Sequence, residues 1–267
     1  MKKGVRTARI IISLAITAAM ATLILTSSIA VAQALGWTLK LQIIPLMISG
    51  ATVQVLLWFG FTLIFGRLYC SAVCPLGTLQ DIFWSLRRIP PFKNRLKPIR
   101  YAPPQNTVRL SILAASIILF LIGANAIALI IEPTEIFTRI IRLFRTEAFA
   151  TPVAAAACTA AALILIAPLS IRKGRIWCNT ICPVGTALGV ISTKSHMRFS
   201  INPDYCTACG KCQDVCKAQC ISLSDLTVDS SRCVTCFNCT AVCDSNAITY
   251  TDTPATPASP LLQQIQK

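Results

Sequence analysis

Charge is scarce in this sequence and histidine almost absent. Only 13% of the 267 residues are charged, about half the share of an ordinary soluble domain, while 54% are hydrophobic and mean hydropathy is +0.65. That balance excludes a soluble globular chain and points to a membrane protein. The single histidine, His196, excludes membrane helices that carry pairs of haem-ligating imidazoles. Acidic residues are the scarcer sign, 10 against 25 Lys and Arg, for a net charge of +15. The basic residues stand in short clusters beside apolar stretches, a distribution suited to lipid headgroups and membrane topology and not to nucleic acid.

Four apolar runs are long enough to cross about 30 Å of hydrocarbon at 1.5 Å per residue: near 10–32, 43–65, 110–131 and 152–169. Lys2, Lys3, Arg6 and Arg9 precede the first; Arg67, Arg87, Arg88, Lys93, Arg95, Lys97, Arg100 and Arg109 lie between the second and third; Arg172, Lys173 and Arg175 follow the fourth. All three clusters fall on one side, which sets that side, with both termini, in the cytoplasm. The other side carries Lys40, Arg139, Arg142 and Arg145, partly balanced by Glu132, Glu135 and Glu147. Trp37, Tyr69 and Trp177 are expected at the membrane interface. The basic start and Ala30-Val31-Ala32 resemble a cleavable signal, but the apolar run is too long, so an uncleaved helix is expected. Glu135–Arg145, with Ile136, Ile140 and Leu143 on one face, is expected along the outer membrane surface. Arg87–Pro104 reads as an irregular basic loop, and 251–267 as a disordered tail.

Cysteine is abundant, with 14 in the chain. Nearly all stand in C-x-x-C or C-x-x-x-C groups, which is ligand spacing and implies a reducing compartment. Residues 206–216 contain Cys206, Cys209, Cys212 and Cys216, and residues 233–243 repeat that spacing with Cys233, Cys236, Cys239 and Cys243. Three closely spaced thiolates hold three corners of a cubane cluster, and the fourth of each run reaches the other cluster. The expected sets are therefore Cys206, Cys209, Cys212 and Cys243 for one [4Fe–4S] cluster, and Cys233, Cys236, Cys239 and Cys216 for the other. A zinc site would leave half of these cysteines unexplained. The chain thus divides into an all-α membrane domain of four transmembrane helices, 1–198, and an α+β domain of ferredoxin type, 199–250. Lys217 and Asp244 stand where proline usually follows the fourth cysteine of each run. Cys220 and Cys158 read as small buried residues and not as ligands.

A second repeat lies in the membrane domain. Residues 66–78, Gly-Arg-Leu-Tyr-Cys-Ser-Ala-Val-Cys-Pro-Leu-Gly-Thr, match 174–186, Gly-Arg-Ile-Trp-Cys-Asn-Thr-Ile-Cys-Pro-Val-Gly-Thr. Each copy follows the second helix of a pair, which suggests two parallel hairpins related by an axis along the membrane normal. That symmetry would bring Cys70 and Cys74 towards Cys178 and Cys182 at the cytoplasmic face, beneath the ferredoxin domain. Four such thiols can hold a further metal centre, work as two redox-active dithiols, or pack as small residues; the duplication favours a shared redox or metal role.

With two Cys-x-x-x-Cys-Pro motifs followed by two ferredoxin motifs, the chain resembles the NapH-type membrane ferredoxins, accessory quinol dehydrogenases of periplasmic respiratory systems. The resemblance implies a multi-pass protein of the bacterial inner membrane, surrounded by lipid, with cytoplasmic clusters. It also implies electrons drawn from menaquinol or ubiquinol and passed to a periplasmic iron–sulfur or haem partner; a cytoplasmic partner is the alternative. In that setting Glu132 is the candidate proton acceptor, Arg139 a donor to a quinone oxygen, and His196 a proton relay on the inner side. The rival reading is a non-catalytic assembly, maturation or redox-sensing factor for a metalloenzyme.

Overall fold

The computed structural model describes residues 2–26, 28–43, 52–87, 89, 98, 100–124, 129–144 and 153–252. Helix α1 spans Lys2–Leu25, earlier at both ends than the expected 10–32 run. A short helix α2 (Ile29–Leu35) and a 3-10 segment (Gly36–Leu41) follow it. Helix α3 is Thr52–Phe65, and the first part of its expected span, 44–51, lies outside the described residues. Next come α4 (Leu68–Ala72), α5 (Pro75–Leu86) and α6 (Asn106–Leu121). The third span is thus shorter than the expected 110–131, because the chain turns after Ile122 and makes a separate 3-10 segment at Leu129–Ile131. Helices α7 (Pro133–Arg142), α8 (Val153–Lys173), α9 (Ile176–Thr180) and α10 (Pro183–Ser192) complete this region.

The remainder is the α+β domain: β1 (Arg198–Ile201), α11 (Lys211–Asp214), β2 (Ile221–Ser222), β3 (Thr227–Val228), α12 (Asn238–Val242) and β4 (Ile248–Thr251). The outer strands pair antiparallel with Arg198 opposite Thr251 and Ile201 opposite Ile248, so Thr251 belongs to the sheet and not to the tail. Residues 253–267 of that tail, and the Cys158 side chain, lie outside the described residues.

Both copies of the membrane repeat adopt one local fold. Gly66 and Gly174 end α3 and α8 in the left-handed region, at φ +70° and +69°, where a side chain is strained. A short helix follows, then a cysteine in the same extended conformation (φ −68°, ψ 118° at both Cys74 and Cys182), then proline in the first turn of the next helix. The halves then interlock. Helix α5 packs along α8 of the other half, and α10 packs along α3 and α6.

Helix α7 departs from expectation. It buries Ile136, Phe137 and Ile140 against α1, α5 and α8 instead of resting on the outer surface, since the bundle offers its apolar stripe a protein partner. Tyr69 and Trp177 also differ: both are buried, because the short helices α4 and α9 turn their aromatic residues into the bundle. Trp37, by contrast, is exposed. Among the described residues one helix, Gly4–Leu25, is long and apolar enough to cross a membrane by itself, while Thr52–Phe65 and Asn106–Leu121 are apolar but shorter.

Two substitutions test the seat of α7. Phe137→Ala should cost about 3–5 kcal/mol of stability, as large-to-small changes at packed aromatic positions do. Arg142→Ala, on the exposed face, should stay within about 0.5 kcal/mol. Denaturant unfolding in mixed micelles would report both, and equal effects would remove α7 from the core.

Candidate functional site

The ferredoxin cysteines fall into the two expected groups. Cys206, Cys209, Cys212 and Cys243 line one cavity holding about 340 Å³ of empty space, and Cys212 lies within electrostatic reach of the other three. Cys239 lies within reach of Cys236, Cys233 and Cys216. Backbone conformation repeats with the motifs. Two residues after the first cysteine of each run stand Ala208 (φ 50°) and Thr235 (φ 48°), and four residues after stand Gly210 (φ 77°) and Phe237 (φ 59°). Left-handed residues at matching points turn successive amides into a concavity suited to an anion, and non-glycine residues hold such strain mainly at functional sites. Each loop therefore fits an anionic iron–sulfur cluster. Cys220 is buried as expected, and its Sγ lies 3.5 Å from Cys216 Sγ.

The membrane cysteines converge as well. Cys70, Cys74, Cys178 and Cys182 are all buried, and Cys182 lies within electrostatic reach of Cys178, Cys74 and Cys70. They sit in the interior between the interlocked halves, next to Val234 and Cys236 of the ferredoxin domain. Arg67 Nη2 donates to the carbonyl oxygen of Cys178 at 3.1 Å, and Arg175 Nη1 donates to the carbonyl oxygen of Cys70. Each half thus clasps the cysteine segment of the other. A Cβ on Gly77 would strike the Cys70 carbonyl, and one on Gly185 the Cys178 carbonyl, so glycine at these positions permits the close approach. Among the described residues Arg67 has no carboxylate partner. Its guanidinium binds Asn179 Oδ1 (2.9 Å) and the Ser231 carbonyl (3.0 Å) and lies 3.8 Å from Cys70 Sγ. A buried cation needs compensating negative charge, and the four converging cysteines are the nearest groups able to carry it as thiolates.

The comparisons with known proteins cover these same segments. One family described as a 4Fe-4S binding domain matches twice, at 48–93 and 154–202, once over each half of the membrane repeat. A second 4Fe-4S binding domain matches 199–222. A methylamine utilization ferredoxin-type protein, MauN of Methylobacillus flagellatus, is 30% identical over 62% of this chain and 54% of its own. The putative electron transport protein YccM of Escherichia coli is 27% identical over 66% and 48%. The ferredoxin-type protein NapH of Haemophilus influenzae is 28% identical over 64% and 53%. These matches support a ferredoxin-type family to which NapH, MauN and YccM are similar. The chain spans about half the length of these relatives, and no solved structure matches it.

One carboxylate ties the two domains together. Asp81 on α5 accepts from Arg175 Nε (2.7 Å), Lys217 Nζ (2.7 Å) and Arg9 Nη1 (3.4 Å). Burial alone would raise its carboxyl, but Arg175 and then Lys217 override that and hold it below the usual carboxylate range. The unusual Lys217 is thereby explained: it stands in for proline and anchors the ferredoxin loop to α5. Arg175 itself lies within electrostatic reach of both Cys178 and Cys236, bridging the membrane thiols and the second ferredoxin set. Of this group only Asp81 carried no signal in the sequence; Lys217 stood out as a departure from the ferredoxin pattern, and Arg175 belongs to the twice-repeated Gly-Arg.

The proposed proton groups separate. Glu132 is buried and caps α7, its Oε2 accepting from the Glu135 amide at 2.5 Å. Burial raises its carboxyl to about 7 against the opposing bonds from Glu135 and Thr134, and it lies within electrostatic reach of Cys74. Arg139 instead pairs with Glu135 at 3.9 Å on the half-exposed face of α7. The His196 side chain is exposed where its segment meets the end of α3, the setting of a solvated imidazole.

Asp81→Asn leaves three buried cations short of a partner and should cost about 3–5 kcal/mol, with loss of amide protection at the Lys217 loop in hydrogen exchange. The sign with pH follows from the depressed carboxyl: the stabilisation is complete above an ordinary carboxylate value of about 3.9 and falls away as pH drops further. The gap between wild type and variant should therefore hold from pH 7 to about 4 and narrow below.

Proposed function

We propose that this chain is a multi-pass inner-membrane protein that oxidises quinol and conveys the electrons through iron–sulfur clusters, with the ferredoxin domain and both termini in the cytoplasm. The observation that carries this reading is the continuity of one core. Val234 and Cys236 of the ferredoxin domain pack in the same hydrophobic cluster as Cys70, Cys74 and Cys182 of the bundle. Sulfur ligands of the soluble domain and the thiols within the bundle therefore share one desolvated interior.

Four spans are supported by what the helices turn outward. Ile11 and Ile12 on α1, Leu56 and Leu57 on α3, Ile117 and Ile118 on α6, and Ile164 and Leu165 on α8 are each at least half exposed. Apolar surface on every long helix is costly in water and suits hydrocarbon. The basic clusters would orient such a bundle.

Two [4Fe–4S] clusters, one on Cys206, Cys209, Cys212 and Cys243 and one on Cys233, Cys236, Cys239 and Cys216, would supply one-electron redox steps. The four membrane thiols would hold a third iron–sulfur centre, with Arg67 and Arg175 offsetting its negative charge. Quinol oxidation releases two electrons and two protons; Glu132, the buried carboxyl within reach of Cys74, would accept one proton, and the other would pass to solvent. Cys209 is exposed, so the iron–sulfur or haem partner would meet the protein at that end of the domain. The thiol-exchange reading loses support, because dithiol chemistry needs access and all four membrane cysteines are at most 4% exposed.

Anaerobically purified protein in lipid should contain more iron than two [4Fe–4S] clusters account for. In Cys70→Ser/Cys178→Ser the excess should vanish while the ferredoxin paramagnetic signals persist. Added menaquinol should bleach the wild-type clusters. Iron equal to two clusters in both proteins would refute the third centre, and clusters that no quinol reduces would refute quinol oxidation.

A further inference from the structure

A cavity opens between α1, the Gly36–Leu41 segment, α3 and α4, with about 950 Å³ of empty volume including its mouth. Its walls are mainly apolar, with Leu57, Trp58, Phe61 and Val73 prominent, and its few polar groups are Lys40, Gln54 and Tyr69. Leu57 is 66% exposed on the outward apolar face of α3, so the mouth faces hydrocarbon. A large apolar hollow with sparse, convergent polar groups is the form of a small-molecule site, and an entrance from the bilayer selects a lipid-soluble ligand. The inner wall adjoins the redox centre, since Tyr69 and Val73 each precede a cysteine of the first repeat.

Tyr69 is held in place for a particular hydrogen bond. Its hydroxyl donates to Gln42 Oε1 at 2.9 Å and accepts from the Ile43 amide at 3.3 Å, while Trp58 meets its ring edge-on with centroids 5.0 Å apart. Thr134 Oγ1 donates to the same Gln42 oxygen at 3.5 Å, and Thr134 hydrogen-bonds Glu132. A phenol oxygen carries two acceptor sites, so with its proton committed to Gln42 and one lone pair to Ile43, Tyr69 has one acceptor site left. That site takes a hydroxyl that donates. The ammonium of Lys40, at the cavity wall, is a donor for a second oxygen.

We propose that this cavity binds the headgroup of a hydroquinone from the bilayer, one hydroxyl donating to Tyr69 Oη and the opposite oxygen accepting from Lys40, with the prenyl tail leaving past Leu57. The site rests on the quinol-oxidising reading and gives it a place: the headgroup lies against α4, beside Cys70 and Cys74. Gln42 and Thr134 act as positioning residues for Tyr69.

The test uses the full chain with its clusters, in phospholipid vesicles. A photoreactive azidoquinone should label peptides containing Lys40, Leu57–Phe61 or Leu68–Val73, and excess menaquinol should suppress the label. Leu57→Trp fills the mouth from the lipid side, and Tyr69→Phe keeps the ring while losing the hydroxyl. Each should raise the menaquinol concentration for half-maximal cluster reduction about tenfold, the worth of one hydrogen bond or a blocked contact, with iron content and reduction by dithionite unchanged. Label mapping to other helices, or both variants matching a wild type that menaquinol does reduce, would overturn the site and leave quinol oxidation standing. A wild type neither labelled nor reduced by quinol would overturn both.

Discussion

Two arginines hold the structure together by each reaching into the other half. Arg67 leaves the end of α3 and binds the Cys178 carbonyl; Arg175 leaves the end of α8 and binds the Cys70 carbonyl. Both side chains are fully buried, and a buried guanidinium is tolerated only where hydrogen bonds and negative charge meet it. The left-handed glycine before each arginine, the glycine that leaves room for each carbonyl, and the proline that starts each following helix all serve this crossing. The convergence of four thiols at the centre is its consequence.

The crossing is not symmetric in its charges, and the asymmetry decides where the soluble domain sits. Arg175 finds Asp81, whereas the matching position in the second half is Gly189, filled by the Ser231 carbonyl and the Arg109 guanidinium. Arg67 and Arg109 both bind that carbonyl. The ferredoxin domain is thus fastened on one side through Lys217 to Asp81 and on the other through Ser231 to two arginines. With Cys236 packed into the bundle core, the second cysteine set faces the helix bundle, while Cys209 of the first is exposed.

Much of the architecture was legible in the sequence because it was written twice. The duplicated Gly-Arg-x-x-Cys-x-x-x-Cys-Pro segment predicted paired halves with converging cysteines, and the spacing of the ferredoxin runs predicted the two groups that the fold forms. Other features depend on which surfaces meet. Periodicity in α7 showed an apolar face but could not tell lipid from protein as its partner, and Phe137 found protein. Tyr69 and Trp177 matched the composition of a membrane interface, yet the short helices after each left-handed glycine turn them inward. Helix ends differ from the ends of the apolar runs where apolar residues continue past a break, as after Leu25 and Leu121. Lys217 looked like a departure from the ferredoxin pattern, and its reason, Asp81, lies far away in sequence and close in space.

The central claim is that the interlocked halves build a metal centre inside the bundle, distinct from those of the ferredoxin domain. Iron anomalous scattering from crystals of anaerobically prepared protein tests it directly. The account predicts three separate iron peaks, the third enclosed by Cys70, Cys74, Cys178 and Cys182 with Arg67 and Arg175 beside it. Two peaks, both in the ferredoxin domain, with the four membrane sulfurs in ordinary packing contact, would contradict it.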